Sequence, residues 1–312
     1  MYQQNALAQI TPENCYWMPV WENEVVTFAL SNKDEAEVLE FLAERPIHTV
    51  AMAGFIRDNG LVSEFHRGTF YGCRDASGKL EGVALIGHSI LLETRTSRAL
   101  MAFAQVAKNC TTTHLIMGEE HRIAEFLNYY SDGGQELRLA CTEVLFELTW
   151  PIQVLKEVTK LRLGTIDDLD LIVPVHAQMS FEESGVNPLV KDPDGFRKRC
   201  ARRLEQNRTY VWVEDGKLIF KADIISETPD AAYLEGIWVN PDYSGQGYAL
   251  RCLSQLSKTL LQRSRSICLL TNVKNSSAQK LYKRAGFKVR GIYDSIFLKP
   301  SPAPCLESSL IN

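Results

Sequence analysis

The stretch AAYLEGIWVNPDYSGQGYALRCLSQLSKTLL, residues 231–261, decides how the rest of the chain is read. It opens as an apolar strand, turns through Ser244-Gly245-Gln246-Gly247-Tyr248-Ala249 and enters a helix at once. Glycine lets the backbone curl until several N–H groups aim at one spot, and the helix start adds its partial positive charge. Such a turn holds a diphosphate, chiefly through the amides of Gln246 to Leu250. A dinucleotide turn does not fit, because Leu250 stands where G-x-G-x-x-G requires its last glycine, and no P-loop lysine follows. A second stretch, LLTNVKNSSAQKLYKRAGF at 269–287, runs from a strand through Asn275, well suited to cap the next helix, to Tyr282. Tyr282 lies two turns beyond Asn275 on the same side of that helix, where a lone tyrosine is ordinarily a half-buried core aromatic.

Around these stretches the pattern is that of two similar units. Val25–Leu30 reads as a strand, Ser31 and Asn32 cap a helix through Glu44, and Pro46 starts another toward Arg57. Asp75-Ala76-Ser77-Gly78 marks a hairpin between Gly68–Cys73 and Leu80–Ile86. A strand at 90–93, a helix at 97–108, a strand at 114–117, a helix at 119–130 and a strand at 139–148 complete the first unit. Residues 161 to 298 repeat that order: strand 161–163, helices 167–183 and 194–205, a hairpin of 210–213 and 217–225, strand 232–239, helix 247–262, strand 267–270, helix 276–285 and strand 288–298. An order that recurs after about 130 residues predicts two copies of one α/β fold. The expected division is an N-terminal arm at 1–24, a first domain at 25–150, a second at 151–299 and a tail at 300–312.

Composition narrows the function. The 312 residues suit two domains, and 45% hydrophobic with 23% charged content is ordinary for a folded protein with a large core. A net charge of -4 argues against a chain-wide nucleic-acid surface. No apolar run approaches the roughly 18 residues that span a bilayer, and the N-terminus lacks the basic start and apolar core of a signal peptide. Eight scattered cysteines without a C-x-x-C pair, and six histidines without ligand spacing, predict a reduced, cytoplasmic protein with no metal.

The glycine turn and the Asn275…Leu281-Tyr282…Gly286-Phe287 segment, in that order and separation, together resemble the acetyl-CoA site of the GNAT superfamily of N-acetyltransferases. The resemblance covers 161–298 by motif and 25–150 by element order only. Met179-Ser180-Phe181-Glu182-Glu183-Ser184-Gly185-Val186-Asn187-Pro188 is similar to a stretch in tandem GNAT proteins whose N-terminal domain is GNAT-like and has no assigned function. The resemblance implies an α/β (α+β) architecture of two tandem GNAT-like domains, each a mixed, mostly antiparallel sheet flanked by helices. Central strands of the second domain would splay into a V-shaped slot that takes the pantetheine arm of acetyl-CoA, the co-substrate, like an extra strand. The first domain is expected without acetyl-CoA, since Glu93-Thr94-Arg95-Thr96-Ser97-Arg98, at the matching turn, has no glycine.

By the same resemblance Trp238, Val239, Ser244, Gly245, Gln246, Gly247, Tyr248, Ala249, Leu250, Asn275, Ser277 and Tyr282 form the cofactor site. Ser244 departs from the long polar residue usual there. Tyr282 is expected to protonate the leaving thiolate, for which a phenol near pKa 10 is suited. Glu235, a carboxylate among apolar strand residues, must face water, a partner or a cleft, and is the candidate general base. Amides around Trp238 and Val239 would bond the oxyanion. Glu182 and Glu183 would attract a cationic amine. The expected reaction moves an acetyl group directly to a primary amine, on a small molecule or a protein, with no nucleic acid or membrane partner; a homodimer is left open. Two alternatives stand beside it: a non-catalytic CoA-binding sensor, and an acetyltransferase for protein lysines or N-termini.

Overall fold

A computed structural model describes residues 25–150, 152 and 155–300. The expected arm at 1–24 and the tail from 301 onward lie outside the described residues.

In chain order the elements are β1 Val26–Ala29, α1 Glu35–Ala43, α2 Pro46–Asn59, β2 Gly68–Arg74, β3 Leu80–Gly87, β4 Ser89–Thr94, α3 Ser97–Lys108, β5 Leu115–Glu119, α4 Glu120–Tyr130 and β6 Leu137–Leu148. The second half follows with β7 Arg162–Leu163, α5 Leu169–Ser184, α6 Pro188–Lys191, α7 Pro193–Glu205, β8 Thr209–Glu214, β9 Lys217–Glu227, β10 Ala231–Val239, α8 Tyr248–Leu260, β11 Ser266–Asn272, α9 Ser276–Arg284 and β12 Lys288–Leu298. Local chemistry sets many of these boundaries. Ser31 and Asp34 close a capping box before α1, Pro46 occupies the first turn of α2, and Gly185 ends α5 in the left-handed region at φ 70°.

The expected mixed sheet flanked by helices is present, but the two sheets are joined. All twelve strands lie in one sheet, in the order β1-β2-β3-β4-β5-β12-β6-β11-β10-β9-β8-β7. The closing strands of the two halves cross over. β12 runs antiparallel to β5 of the first half (Ile296 opposite Ile116), while β6 runs antiparallel to β11 of the second (Leu269 opposite Phe146). β6 and β12 pair with each other along most of their length, with Tyr293 opposite Glu143. Each partner strand thus finds a full ladder, and neither half keeps an open edge at the join.

Helices cover both faces. Phe103 and Phe126, from α3 and α4, fill one core of the first half with Ile90 and Ile116. Leu253, Leu256 and Leu260 of α8 pack with Phe146, Phe220, Ile267 and Phe287 in the second. Phe146 comes from β6, so the second core is completed by the first half. Ser226 of β9 donates to the carbonyl of Val50 on α2, and Gly54 lies so close that a Cβ there would meet Ser226 Oγ at 1.6 Å. That approach locks α2 of the first half onto β9 and β10 of the second.

Candidate active site

The site begins where β10 and β11 part. They pair in parallel from Ala231/Ser266 to Leu234/Leu269, after which β10 continues to Val239 and β11 to Asn272 without pairing. The parting coincides with a bulge in β10. Glu235 lies opposite Asp223 and Trp238 opposite Lys221, so two residues of β10 oppose one of β9. Gly236 sits in the bulge at φ 59°, with Lys221 Nζ and Asp223 Oδ2 only 2.7 and 2.6 Å from where its Cβ would stand. Glycine is therefore required here by crowding from the protein itself as well as by φ.

Beneath the bulge lies a buried ionic network. Lys221 Nζ donates to Asp223 Oδ2 at 2.6 Å and to the carbonyl of Gly236 at 3.0 Å. Arg203 of α7 donates to Asp223 at 3.2 Å and Thr209 at 2.8 Å. Although burial works against ionisation, Lys221 and Arg203 hold the Asp223 carboxyl far below its usual range. Burial and those same cations press neighbouring His176 down to about 3. The network fixes the backbone at the mouth of the slot. Beyond the bulge, Asn240 N–H donates to Ile219 of β9; by alternation Trp238 also faces β9 with its backbone, whereas Val239 and Ile237 present theirs to the slot.

At the far end of β10 a short turn at Pro241–Tyr243 leads into Ser244, Gly245 (φ 75°), Gln246 and Gly247 (φ 80°), and α8 starts. A Cβ on either glycine would meet nothing within 4 Å, so backbone conformation, not space, calls for glycine. Tyr248 packs edge-on against Trp212 at 4.8 Å and Leu250 against the core, anchoring the helix start. The six successive N–H groups from Gly245 to Leu250 donate no hydrogen bond among the described residues. Unpaired backbone donors at a helix N-terminus are suited to hold an anion. Ser244 is exposed at its edge, and the Gln246 side chain folds back to the carbonyl of Asp242 at 3.4 Å.

Across the slot, Asn275 caps α9 by accepting from Ala278 N–H at 3.0 Å, beside exposed Ser277. Tyr282 is 7% exposed, edge-on to Phe146 at 5.7 Å. Its hydroxyl has no hydrogen-bond partner among the described residues, and burial together with the nearby Glu183 carboxylate raises its pKa. Glu235 accepts from buried Tyr233 at 2.7 Å. Glu183, at the end of α5, is open to solvent but crowded by the cleft walls. That crowding and the charges of Glu235 and Glu143 raise it to about 7. Glu182 parts company with it and bonds Gln178 along the surface of α5 at 3.0 Å.

The structure thus brings Glu235, Glu183 and Tyr282 to one cleft and leaves Glu182 outside it. Sequence reasoning missed Glu143 of β6, which accepts from Ser295 at 2.5 Å and whose pKa is raised by burial and by Glu235. Nothing in the sequence signals it, since only the strand exchange carries β6 beside β11. Tyr233 was legible: two residues before Glu235, it must share a strand face with it. Among the described residues no group of three or more His, Cys, Asp or Glu is arranged to hold a metal ion. No helix among them is long and apolar enough to cross a membrane.

The matching slot of the first half is built differently. β4 and β5 also part, after Leu91/Met117, but Arg45 enters between them to bond Glu93 at 3.1 Å and Glu119 at 2.8 Å. Thr96 caps α3 by accepting from Ala99 N–H, and Arg95 is held by Glu44 and the carbonyl of Phe41. A cavity of about 40 Å3 remains.

The fold is a mixed sheet flanked by helices, whose strands β10 and β11 part beside the turn that starts α8. Residues 178–287 match the model described as acetyltransferase (GNAT) family. Among solved structures, the chain is similar to a GNAT-family acetyltransferase from Colwellia psychrerythraea (14% identity, 88% of this chain and 100% of that one, TM-score 0.56). It is also similar to a Drosophila protein (13%, 89% and 100%, TM-score 0.63). A third is a tandem GNAT protein from the clavulanic acid biosynthesis pathway (13%, 90% and 100%, TM-score 0.53). No curated protein sequence matches the chain.

Proposed function

We propose that the chain transfers an acetyl group from acetyl-CoA to a primary amine by direct attack, within the second half. The observation that carries this reading is the meeting of Glu183, Glu235 and the unpartnered Tyr282 hydroxyl at the mouth of the parted strands, beside free amides at 245–250. Those amides receive the diphosphate, Asn275 and Ser277 border the pantetheine arm, and the Val239 amide faces the thioester oxygen.

An amine enters as its ammonium ion, drawn by the carboxylates. A base near pKa 7 is suited to take its proton at neutral pH, and Glu183 has that value, with Glu235 and Glu143 maintaining it. The amine nitrogen then bonds the carbonyl carbon as the carbon–sulfur bond breaks. Tyr282, which keeps its proton through the neutral range, supplies it to the departing sulfur and regains one from solvent. In the first half Arg45 fills the corresponding slot, which supports a bracing role there without acetyl-CoA. The binding-only alternative would leave the carboxylates and Tyr282 with no reason to face one another.

Calorimetry with acetyl-CoA tests the reading most directly: binding in the tens of micromolar or tighter is expected, and no binding ends it. Substituting Tyr282→Phe is expected to lower kcat far more than acetyl-CoA affinity, and an unchanged kcat removes Tyr282 from the mechanism.

A further inference from the structure

A cavity of about 250 Å3 opens on the other side of α5, between the first half and the α5–α7 helices. It has room for roughly eight waters, enough for a small metabolite. The first half contributes Arg67, His88 and His114, and the helices contribute Ser180, Ser184, Lys191 and Arg199.

The backbone is specialised to assemble the first-half wall. Arg67 holds the left-handed conformation at φ 53°, which a non-glycine residue rarely adopts. Gly68 and Gly87 lie so close that a Cβ on Gly87 would meet the Arg67 carbonyl and Gly68 Cα at 2.3 Å. The approach sets His88 beside Arg67, with His88 N–H donating to Arg67 O at 2.8 Å, and His114 N–H donating in turn to His88 O at 2.8 Å. The two imidazoles stack 5.4 Å apart at 18°. Arg67 Nη2 lies 3.2 Å from His88 Nδ1; since a guanidinium only donates, Nδ1 accepts and the neutral ring carries its proton on Nε2. That Nε2–H, and the His114 ring, have no hydrogen-bond partner among the described residues.

The charges do not cancel. Three cations, Arg67, Lys191 and Arg199, border the cavity against one carboxylate, Asp192, which Arg199 already engages at 3.0 Å. Two positive charges and a neutral imidazole donor are left over. Burial, Arg67, His114, Lys191 and Arg199 lower His88 to about 4, and burial, Lys191, Arg138 and Arg67 lower His114.

We infer that this cavity is a binding site for a small organic dianion, a phosphate monoester or a dicarboxylate, held between the two halves by Arg67, Lys191 and Arg199 with His88 and His114 as neutral donors. A phosphate monoester carries about two negative charges near neutral pH, which equals the surplus. The site is separate from the acetyl-transfer cleft and does not depend on that reading. The two share α5, whose Glu183 faces one and whose Ser184 lines the other.

The test is imidazole-selective NMR of the full chain, with and without added CoA, titrated at constant ionic strength with inorganic phosphate and, separately, succinate. The expected result is saturable movement of the His88 and His114 signals, assigned with His88→Gln and His114→Gln, at low millimolar or tighter, while His48 and His66 stay still. A response to phosphate alone identifies a phosphate monoester site, and a response to succinate alone a dicarboxylate site. Arg67→Gly, which keeps the left-handed backbone comfortable, and Lys191→Ala should each weaken binding at least fivefold with the other histidine signals unchanged. If neither anion moves the two histidines saturably, or both variants bind as tightly as the parent, the inference is wrong.

Discussion

The Lys221–Asp223 network is the feature whose removal is easiest to put a size on. In Lys221→Met the side chain keeps its bulk but the ammonium is gone. Lys221 is fully buried and Asp223 is 1% exposed, so solvent does not replace the lost partner. Removing one partner of a buried pair costs about 3–5 kcal/mol, and the carbonyl of Gly236 loses its donor as well. Asp223 keeps Arg203 and Thr209, which places the net loss toward the low end, about 3 kcal/mol. For a chain of this size that corresponds to a fall in Tm of about 6 °C. Asp223→Asn should cost a similar amount, because Lys221 then keeps only the Gly236 carbonyl for its charge.

A double-mutant cycle followed by urea unfolding separates the pair from its surroundings. If the two groups act through each other, the double variant loses about 4 kcal/mol where independent effects would add to about 6, a coupling of about 2 kcal/mol. Kinetics report on the bulge. Once Gly236 is released, the Val239 amide loses its fixed place, so kcat should drop about tenfold or more, equivalent to about 1.4 kcal/mol, with acetyl-CoA binding nearly intact. Additive losses within about 0.5 kcal/mol, or a kcat unchanged in Lys221→Met, would refute the argument that this network sets the mouth of the slot.

The acid limb of kcat/KM should fall with an apparent pKa of about 7; Glu183→Gln should remove it, and Glu143→Gln should move it to lower pH by taking away a like charge. Gly247→Ala meets no atom within 4 Å but forces a Cβ into φ 80°, so titration calorimetry should show acetyl-CoA affinity reduced by roughly tenfold with Tm changed by only a few degrees. Asp223 has a depressed folded pKa, so its stabilisation is complete above the unfolded value near 3.9 and disappears as pH falls below it. Acid unfolding of Asp223→Asn should accordingly begin from lower stability but lose less between about pH 4 and 2.

Much of the fold was legible because helices and strands are written in local periodicity. α3 was placed at Ser97–Lys108 and β12 at Lys288–Leu298, as found, and the glycine turn and the Asn275 cap were readable from backbone needs alone. Four-residue α6 was not foreseen; its only cues are the Asn187 cap and Pro188. The strand exchange was invisible for a different reason. β6 and β12 are both partly buried strands, and nothing local chooses between a partner 20 residues away and one more than 100 away. Glu143 was lost with it, as was the part of Gly236 that depends on Lys221 and Asp223 meeting beneath it.

The exchange bears on what the first half is for. A cut between residues 150 and 151 would leave the second half without β6, exposing the edge of β11, whose Ile267, Cys268 and Leu269 are at most 1% exposed in the intact chain. It would also remove Phe146 from beside Tyr282, and Glu143 from the carboxylate group that raises Glu183. The second half expressed alone should therefore aggregate through that bare edge rather than act as a slow enzyme. If the two halves are made as separate chains and mixed, they should recover one folded species only when β6 and β12 can interleave. A second half that is monomeric by sedimentation and as active as the whole chain would show that the first half contributes nothing to the cleft.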